Sequence, residues 1–284
     1  MIFRNPMPPS STQKYHKSRK STKKSRHSGI NAKEQFIWGI HPVLEALRTC
    51  PHCIKEIIIS KSRVGQRVEE VLALAHENDI AISDRAVITE EVPRKGYDKT
   101  EQEGSDVSAR IVFPFIDFDG LLSSLKEEPT PPLLLALDSI KDPHNLGAII
   151  RSAVAAGAKG LILPKDRSVS ITATVVKVSA GAVFHLNVCR VTNLVNSFNV
   201  LKDAGIWIFG ATKDGATPVY DVDLTVPACI VIGSEGKGLR PFVAENCDFH
   251  ISIPMQGSLD SLNASVAAGI ILFEAARQRK FKYA

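Results

Sequence analysis

From residue 133 onward the chain repeats one device: a short, almost wholly apolar run, then a stretch with helical spacing. The runs are PLLLALD, GLILP, HLNVCRV, WIFGAT, ACIVIG and FHISIP. Helical patterns fall at 145–157, 172–180, 193–204 and 263–281. A strand that is apolar at successive positions, and not only at alternate ones, has no face to offer water. Strands of that kind alternating with helices predict a parallel sheet covered on both sides. Such sheets bind ligands in the crevice outside the carboxyl ends of their strands. The polar sequences that begin where these runs stop are therefore where chemistry is expected.

The part before residue 133 reads differently. FIWG predicts a short strand, HPVLEALRT a helix, IKEIIIS a strand, and VGQRVEEVLALAHEND an amphipathic helix with Val68, Val71, Leu72 and Ala75 on one face. Ile80–Ile82 and Ser108–Phe113 predict further strands, with an exposed loop at Arg94–Asp106. The expected organisation is a polar, disordered tail over 1–34, a small α/β domain over 35–114, a linker over 115–131 and the parallel-sheet domain over 132–284. The linker assignment rests on an acidic start, a short apolar helical piece and the sequence EEPTPP, whose prolines end any helix.

Charge is concentrated in the tail. Of the chain's 35 Lys and Arg, nine lie within residues 1–33, together with none of its 30 Asp and Glu. The basic balance is thus a property of the tail, and the rest of the chain is mildly acidic. A basic arm on an acidic body fits contact with a polyanion; a Ser-rich, acid-free leader is also how organelle transit peptides look. No apolar run is long enough to span a bilayer. Five cysteines without a regular framework fit a reducing compartment, and a cytoplasmic protein is expected. Cys50-Pro-His-Cys53 has redox spacing, but a helix is expected to end at Cys50, not start there, and no second cysteine pair stands at zinc-ligand spacing. No metal is expected.

Three polar segments follow strands. In LDSIKDPHNLGAIIRSA (137–153), Asp142 and Pro143 suit a helix N-cap and first helical position. Asn145 then lies near the helix N-terminus and Arg151 two turns in. Gly147, four residues before Arg151, is expected to leave that side chain a clear path toward a phosphate or hydroxyl at the helix start. His144 is read as a bystander. In IVIGSEGKGLRP (230–241), the glycines suit a tight turn or close approach to a ligand. The spacing is neither that of a dinucleotide-binding fingerprint nor that of a P-loop. A turn would account for the glycines but not for Glu235 between them. In ISIPMQGSLDSLNAS (251–265), Ser261 and Asn263 stand at a helix entrance, where capping alone would favour them. The helix that follows, ASVAAGIILFEAA, is apolar nearly all round and predicts burial on every side.

In this order and spacing, the three segments closely resemble the three motifs of the SpoU/TrmH (SPOUT) family of RNA ribose 2′-O-methyltransferases. The resemblance implies an α/β catalytic domain with a carboxyl-terminal trefoil knot, a homodimer, and S-adenosylmethionine as cofactor. It also implies catalytic roles for Asn145, Arg151, Glu235, Ser261 and Asn263, and cofactor contacts at Gly210, Gly233, Ile253, Met255 and Leu262. The family's arginine is commonly assigned the task of deprotonating the ribose hydroxyl. A guanidinium stays protonated in proteins, so binding phosphate and stabilising the emerging alkoxide suit Arg151 at least as well.

The amino-terminal α/β unit resembles the ribosomal-protein-like substrate-binding domain fused to some members, a domain that members acting on tRNA often lack. This implies a guanosine of 23S rRNA as target. Gly104-Ser105-Asp106 departs from the His-Gln-Gly that close ribosomal members tend to carry at about this place. A tRNA ribose methyltransferase is the nearest alternative, and a non-catalytic RNA-binding or ribosome-assembly protein an alternative of another class. Intact motif residues favour the enzyme.

Overall fold

The structure is a computed structural model and describes residues 34–60, 65–84, 107–215, 217–256 and 261–279. The basic tail and the Arg94–Asp106 segment, with its Gly104-Ser105-Asp106 departure, lie outside the described residues.

A first, four-stranded sheet is built from β1 (Glu34–Trp38), β2 (Ile54–Ile59), β3 (Ala81–Asp84) and β4 (Val107–Val112), in the order β1-β4-β2-β3. Strand β4 runs antiparallel to β1 and β2, and β2 parallel to β3. Helices α1 (Ile40–Thr49) and α2 (Gln66–Glu77) bury Val43, Leu44 and Leu47, and Val68, Val71 and Ala75. These are the stripes that helical spacing of the apolar residues dictates.

The second sheet has seven strands: β5 (Leu133–Leu137), β6 (Gly160–Pro164), β7 (Asn187–Val191), β8 (Trp207–Ala211), β9 (Thr217–Pro218), β10 (Ala228–Ile232) and β11 (Phe249–Ser252). Their order is β7-β6-β5-β10-β8-β11-β9, and the pairings are parallel. Every residue of β5, β6 and β10 is buried. The expected two-sided covering follows directly from the side-chain alternation of β5. Leu133, Leu135 and Leu137 enter one apolar core, Leu134 and Ala136 the other. Helices α4 (Pro143–Ala155), α5 (Ala173–Val178) and α8 (Ala264–Gln278) cover the first side. Helices α3 (Phe118–Leu125), α6 (Leu194–Asp203) and the four-residue α7 (Pro241–Ala244) cover the second.

The stretch read as a linker with a short apolar helical piece is docked on the second sheet. Asp117 caps α3 by accepting the Gly120 N–H at 2.7 Å, and Leu121 is fully buried in the second core. The Ile116 N–H donates to the Val188 carbonyl at 3.0 Å, fastening the segment to β7. Its few apolar residues fall on one side of a short helix, which is enough to dock it. Within the single chain, helix α8 keeps one side open. Val266 is 49% and Phe273 48% exposed, because α4 and the sheet cover only part of its circumference.

The core on the α4/α5/α8 side does not stop at the second sheet. It runs without a break into the first, taking in Ile37, Val43, Leu47, Ile57 and Ile111 together with Leu135, Ile149, Val175, Val176 and Val183. Where the units meet, His185 Nε2 lies 2.5 Å from Glu45 Oε2 on α1. Cys50 and Cys53 are buried, free thiols at the end of α1 and in the short 3-10 turn after it. Among the described residues no helix is long and apolar enough to cross a membrane.

Candidate functional site

The three polar segments converge at the carboxyl ends of the central strands. Helix α4 begins as its sequence dictates. Asp142 is the N-cap, its carboxylate accepts the His144 N–H at 2.9 Å, and Pro143 takes the first turn, where a missing N–H costs nothing. His144 is exposed, and among the described residues its ring is hydrogen-bonded only to the same Asp142 carboxylate, at 3.2 Å. The next residue, Asn145, turns inward and is buried.

Asn145 is the centre of a hydrogen-bonded cluster drawn from all three segments. Its Nδ2 donates to Glu235 Oε1 at 2.8 Å, and its Oδ1 accepts from Asn263 Nδ2 at 3.0 Å. Asn263 Nδ2 also donates to Glu235 Oε1. The other end of the Asn263 amide caps α8: Oδ1 accepts the Ser265 N–H at 2.8 Å and the Ser265 hydroxyl at 2.6 Å. Capping and site-building are therefore shared between the two ends of one side chain. Glu235 Oε2 accepts no hydrogen bond among the described residues.

The GSEGKG sequence forms a closed arch between β10 and α7. The Ser234 N–H donates to the Gly238 carbonyl at 3.0 Å and the Gly238 N–H to the Ser234 carbonyl at 2.9 Å. A Cβ on Gly233 would stand 2.1 Å from the Gly238 carbonyl carbon, so no other residue fits under the arch. Asp138 extends β5 and is fully buried. Its Oδ1 accepts from Arg240 Nε at 2.7 Å, and its Oδ2 accepts the Arg240 N–H at 2.9 Å.

Beside the cluster lies a cavity of about 530 Å³. That is within the range for a cofactor-sized molecule, roughly 300–1,000 Å³. Of the residues expected to contact a cofactor, Gly233, Ile253, Met255 and Leu262 line it. Gly210 does not. It sits inside β8, where a Cβ would be 2.8 Å from Cys247 Sγ, and its neighbour Ala211 reaches the cavity instead. Of the residues expected to be catalytic, Glu235 and Ser261 line the cavity, and Asn145 and Asn263 join it through Glu235. Thr212, Lys213 and Asp214, after β8, also line it and went unrecognised in the sequence. Their signal is position alone: they follow the end of a central parallel strand.

Arg151 lies apart from this cluster. It is exposed on α4 and makes no hydrogen bond or ion pair among the described residues. The expected role of Gly147 is corrected. That glycine is buried against α5, where a Cβ would come within 2.7 Å of Val178 Cβ. It permits close packing of two helices and does not open a lane for Arg151. The Asp138–Arg240 pair was also missed. Its signal was legible: a carboxylate continuing the apolar run LLLAL must be buried and must find a partner.

The wall of the cavity mixes apolar side chains (Ile232, Leu239, Ile253, Leu262, Ile271) with polar groups (Thr212, Asp214, Ser234, Ser261). A mixed lining of this kind suits a ligand with both apolar and polar parts. Comparison with known proteins narrows the reading. Residues 132–273 match the SpoU rRNA Methylase family, and residues 36–88 match a domain described as RNA 2′-O ribose methyltransferase substrate binding. The chain is 40% identical over 248 residues to the 23S rRNA (guanosine-2′-O-)-methyltransferase RlmB of Pseudomonas putida, covering 87% of this chain and 97% of that protein. It is 41% identical over 250 residues to a Staphylococcus saprophyticus protein named for the TrmH family of tRNA/rRNA methyltransferases, with the same coverage of 87% and 97%. The crystal structure of the SpoU methyltransferase AviRb from Streptomyces viridochromogenes, in complex with AdoMet, aligns with a TM-score of 0.72 at 27% identity. That alignment covers 90% of this chain and 94% of AviRb. Motif order, strand-end cavity and sequence likeness across both sheets point to one lineage, and the chain belongs to the SpoU family of RNA ribose 2′-O-methyltransferases.

Proposed function

We propose that this protein methylates the ribose 2′-hydroxyl of a guanosine in 23S rRNA, using S-adenosylmethionine held in the cavity beside Glu235. The observation that carries the reading is the meeting of Asn145, Glu235 and Asn263, one residue from each segment, with Glu235 on the wall of that cavity. The chain's likeness to RlmB along nearly its whole length supports the choice of RNA.

Gly233, Ile253, Met255 and Leu262 would hold the cofactor, whose sulfonium supplies a methyl group open to in-line attack by an oxygen nucleophile. The protein's part is to align that oxygen and to manage its proton. Two amide N–H groups fix Glu235 Oε1, which leaves Oε2 to accept a hydrogen bond from the ribose hydroxyl and to orient it. Ser261, on the cavity wall, adds a second hydroxyl-sized partner. Arg151 is exposed, makes no hydrogen bond or ion pair among the described residues, and is suited to an RNA phosphate and to the charge that develops on the attacking oxygen.

The first sheet and its helices serve as the RNA-binding domain (35–114), residues 115–131 as the connection, and 132–284 as the catalytic domain, whose carboxyl-terminal part carries the family's knot. The open stripe of α8 serves a homodimer, and the basic tail lies on RNA. Ribose methylation mapped across rRNA and tRNA in a strain lacking the gene should lose signal at a 23S guanosine, restored by the intact protein. Loss confined to tRNA would move the substrate to tRNA.

A further inference from the structure

Among cavities, side-chain clusters and exposed patches, one pair has a geometry that its own strand does not require. Asp138 is 0% exposed, yet among the described residues it makes no hydrogen bond to Asn145, Glu235 or Asn263 and does not line the cavity. Its hydrogen bonds go elsewhere. The Asp138 N–H donates to the Ile232 carbonyl at 2.8 Å, at the point where the chain leaves β10 to form the arch. The Asp138 carboxylate accepts the Arg240 N–H at 2.9 Å and Arg240 Nε at 2.7 Å, at the point where the arch comes down. A third donor, the Ser139 hydroxyl, reaches Oδ1 at 3.2 Å. One residue thus pins both feet of the loop that carries Gly233 and Glu235.

We propose that Asp138 and Arg240 form a clasp that positions the Gly233–Leu239 arch for cofactor binding and for presentation of Glu235. The inference rests on the cofactor site described above. A fully buried carboxylate is tolerated only when paired and hydrogen-bonded, and a hydrophobic residue at this strand end would avoid that cost. The carboxylate does what an apolar side chain cannot. Its two oxygens hold a backbone N–H and a side-chain N–H of the same residue, so the arch descends at one place only. The crown of the arch is tied through Glu235 to Asn145 and Asn263, its legs are joined by the bonds between Ser234 and Gly238, and its feet are tied to β5 by Asp138. Gly236 and Gly238 have positive φ values of 72° and 64°, which glycine adopts without the strain a Cβ would bring. Without the clasp, the pairing of Ser234 with Gly238 would persist, but the feet of the arch would lose their anchor. Arg240 and Asp138 are positioning residues, since neither touches the reacting atoms.

The test uses the full-length protein as Asp138→Asn and Arg240→Ala. Asp138→Asn keeps the shape but turns an N–H toward donors; Arg240→Ala keeps the backbone bond and, being half-open to water, is the gentler change. Amide exchange is measured on each protein with and without S-adenosylmethionine, cofactor affinity by calorimetry, and melting by circular dichroism. In the cofactor-free protein, both variants should speed exchange at Ser234, Gly238 and Arg240 by at least about ten-fold while β5 and β10 stay protected. Turnover should fall by about a hundred-fold, the cost of a small misplacement remote from the chemistry. Affinity for S-adenosylmethionine should weaken by about ten-fold or more.

Faster exchange spread evenly over the whole sheet would overturn the clasp, because it would mean general destabilisation. So would folded variants with wild-type affinity. If Asp138→Asn does not fold, Arg240→Ala decides. If S-adenosylmethionine leaves the arch amides of the wild-type protein unprotected, the cofactor site itself is wrong, and the clasp is overturned with it. Protection in the wild type with no change in the variants overturns the clasp alone.

Discussion

In the proposed reaction, Arg151 and the Asn145–Glu235–Asn263 cluster would divide the work between an exposed cation and a fixed carboxylate. Replacing Arg151 with Ala should lower methyl transfer by about 10²- to 10³-fold, the usual loss when one preorganised electrostatic group is removed. Cofactor affinity should stay within a few-fold, because Arg151 does not line the cavity. Arg151→Lys should fail nearly as badly, since a point charge does not replace a planar fork. Transfer of radiolabelled methyl to RNA, set beside calorimetric titration of the cofactor, checks both, and near-normal turnover by either variant would refute the role. At this scale the sequence was informative where residue type has few alternatives. Asn145, Glu235, Ser261 and Asn263 stand out as polar groups placed where strands stop. Their mutual bonds were not readable, because Asn145 is 90 residues from Glu235 and 118 from Asn263. Nor was the distinction between Gly210, which packs on Cys247, and Ala211, which reaches the cavity. One position along a strand changes which face a residue meets.

Helices α4 and α5 meet at Gly147, and that contact can be tested by a change that would normally help a helix. Alanine is favoured over glycine in a helix interior by about 1 kcal/mol. At Gly147 the added Cβ would stand 2.7 Å from Val178 Cβ. Gly147→Ala should therefore destabilise the protein, by about 1–3 kcal/mol for overpacking. Pairing it with Val178→Ala should recover part of the loss. Urea unfolding midpoints measure both, and a stabilised Gly147→Ala would show that α4 and α5 do not pack this closely. The strands and longer helices were legible because apolar runs and helical spacing are local properties of the sequence. The two-residue β9 and the four-residue α7 are too short to carry a period. The place of β10 between β5 and β8 was hidden as well, because strand order depends on long crossovers that local patterns do not encode. Helix α3 was read only as an apolar piece of linker. Its docking is decided by the single fully buried Leu121, whose partners lie far along the chain.

Taken as a whole, the chain leaves two surfaces to answer for. The open stripe of α8, with Val266 and Phe273 about half exposed, is apolar and lies on the helix that Asn263 caps. Sedimentation should show a dimer, and Phe273→Glu should shift it toward monomer; a stable, active wild-type monomer would end the dimer proposal. Deleting residues 1–33 removes nine positive charges and no negative ones. Each phosphate neutralised contributes roughly 0.7–0.9 to the slope of log affinity against log salt, so engagement of about four charges would lower that slope by about three on deletion. Turnover at saturating RNA should hardly change, and an unaltered salt slope would assign the tail some task other than RNA contact. The apolar core shared by the two sheets has its own consequence. Heating should melt the described body in a single calorimetric transition, without a separate early step for the first sheet. By the same token, a shortened chain that begins at residue 115 would bare the side of α5 and of the turn at Ala182–His185 that β1 and α1 now cover. It should clump where the longer chain stays dispersed.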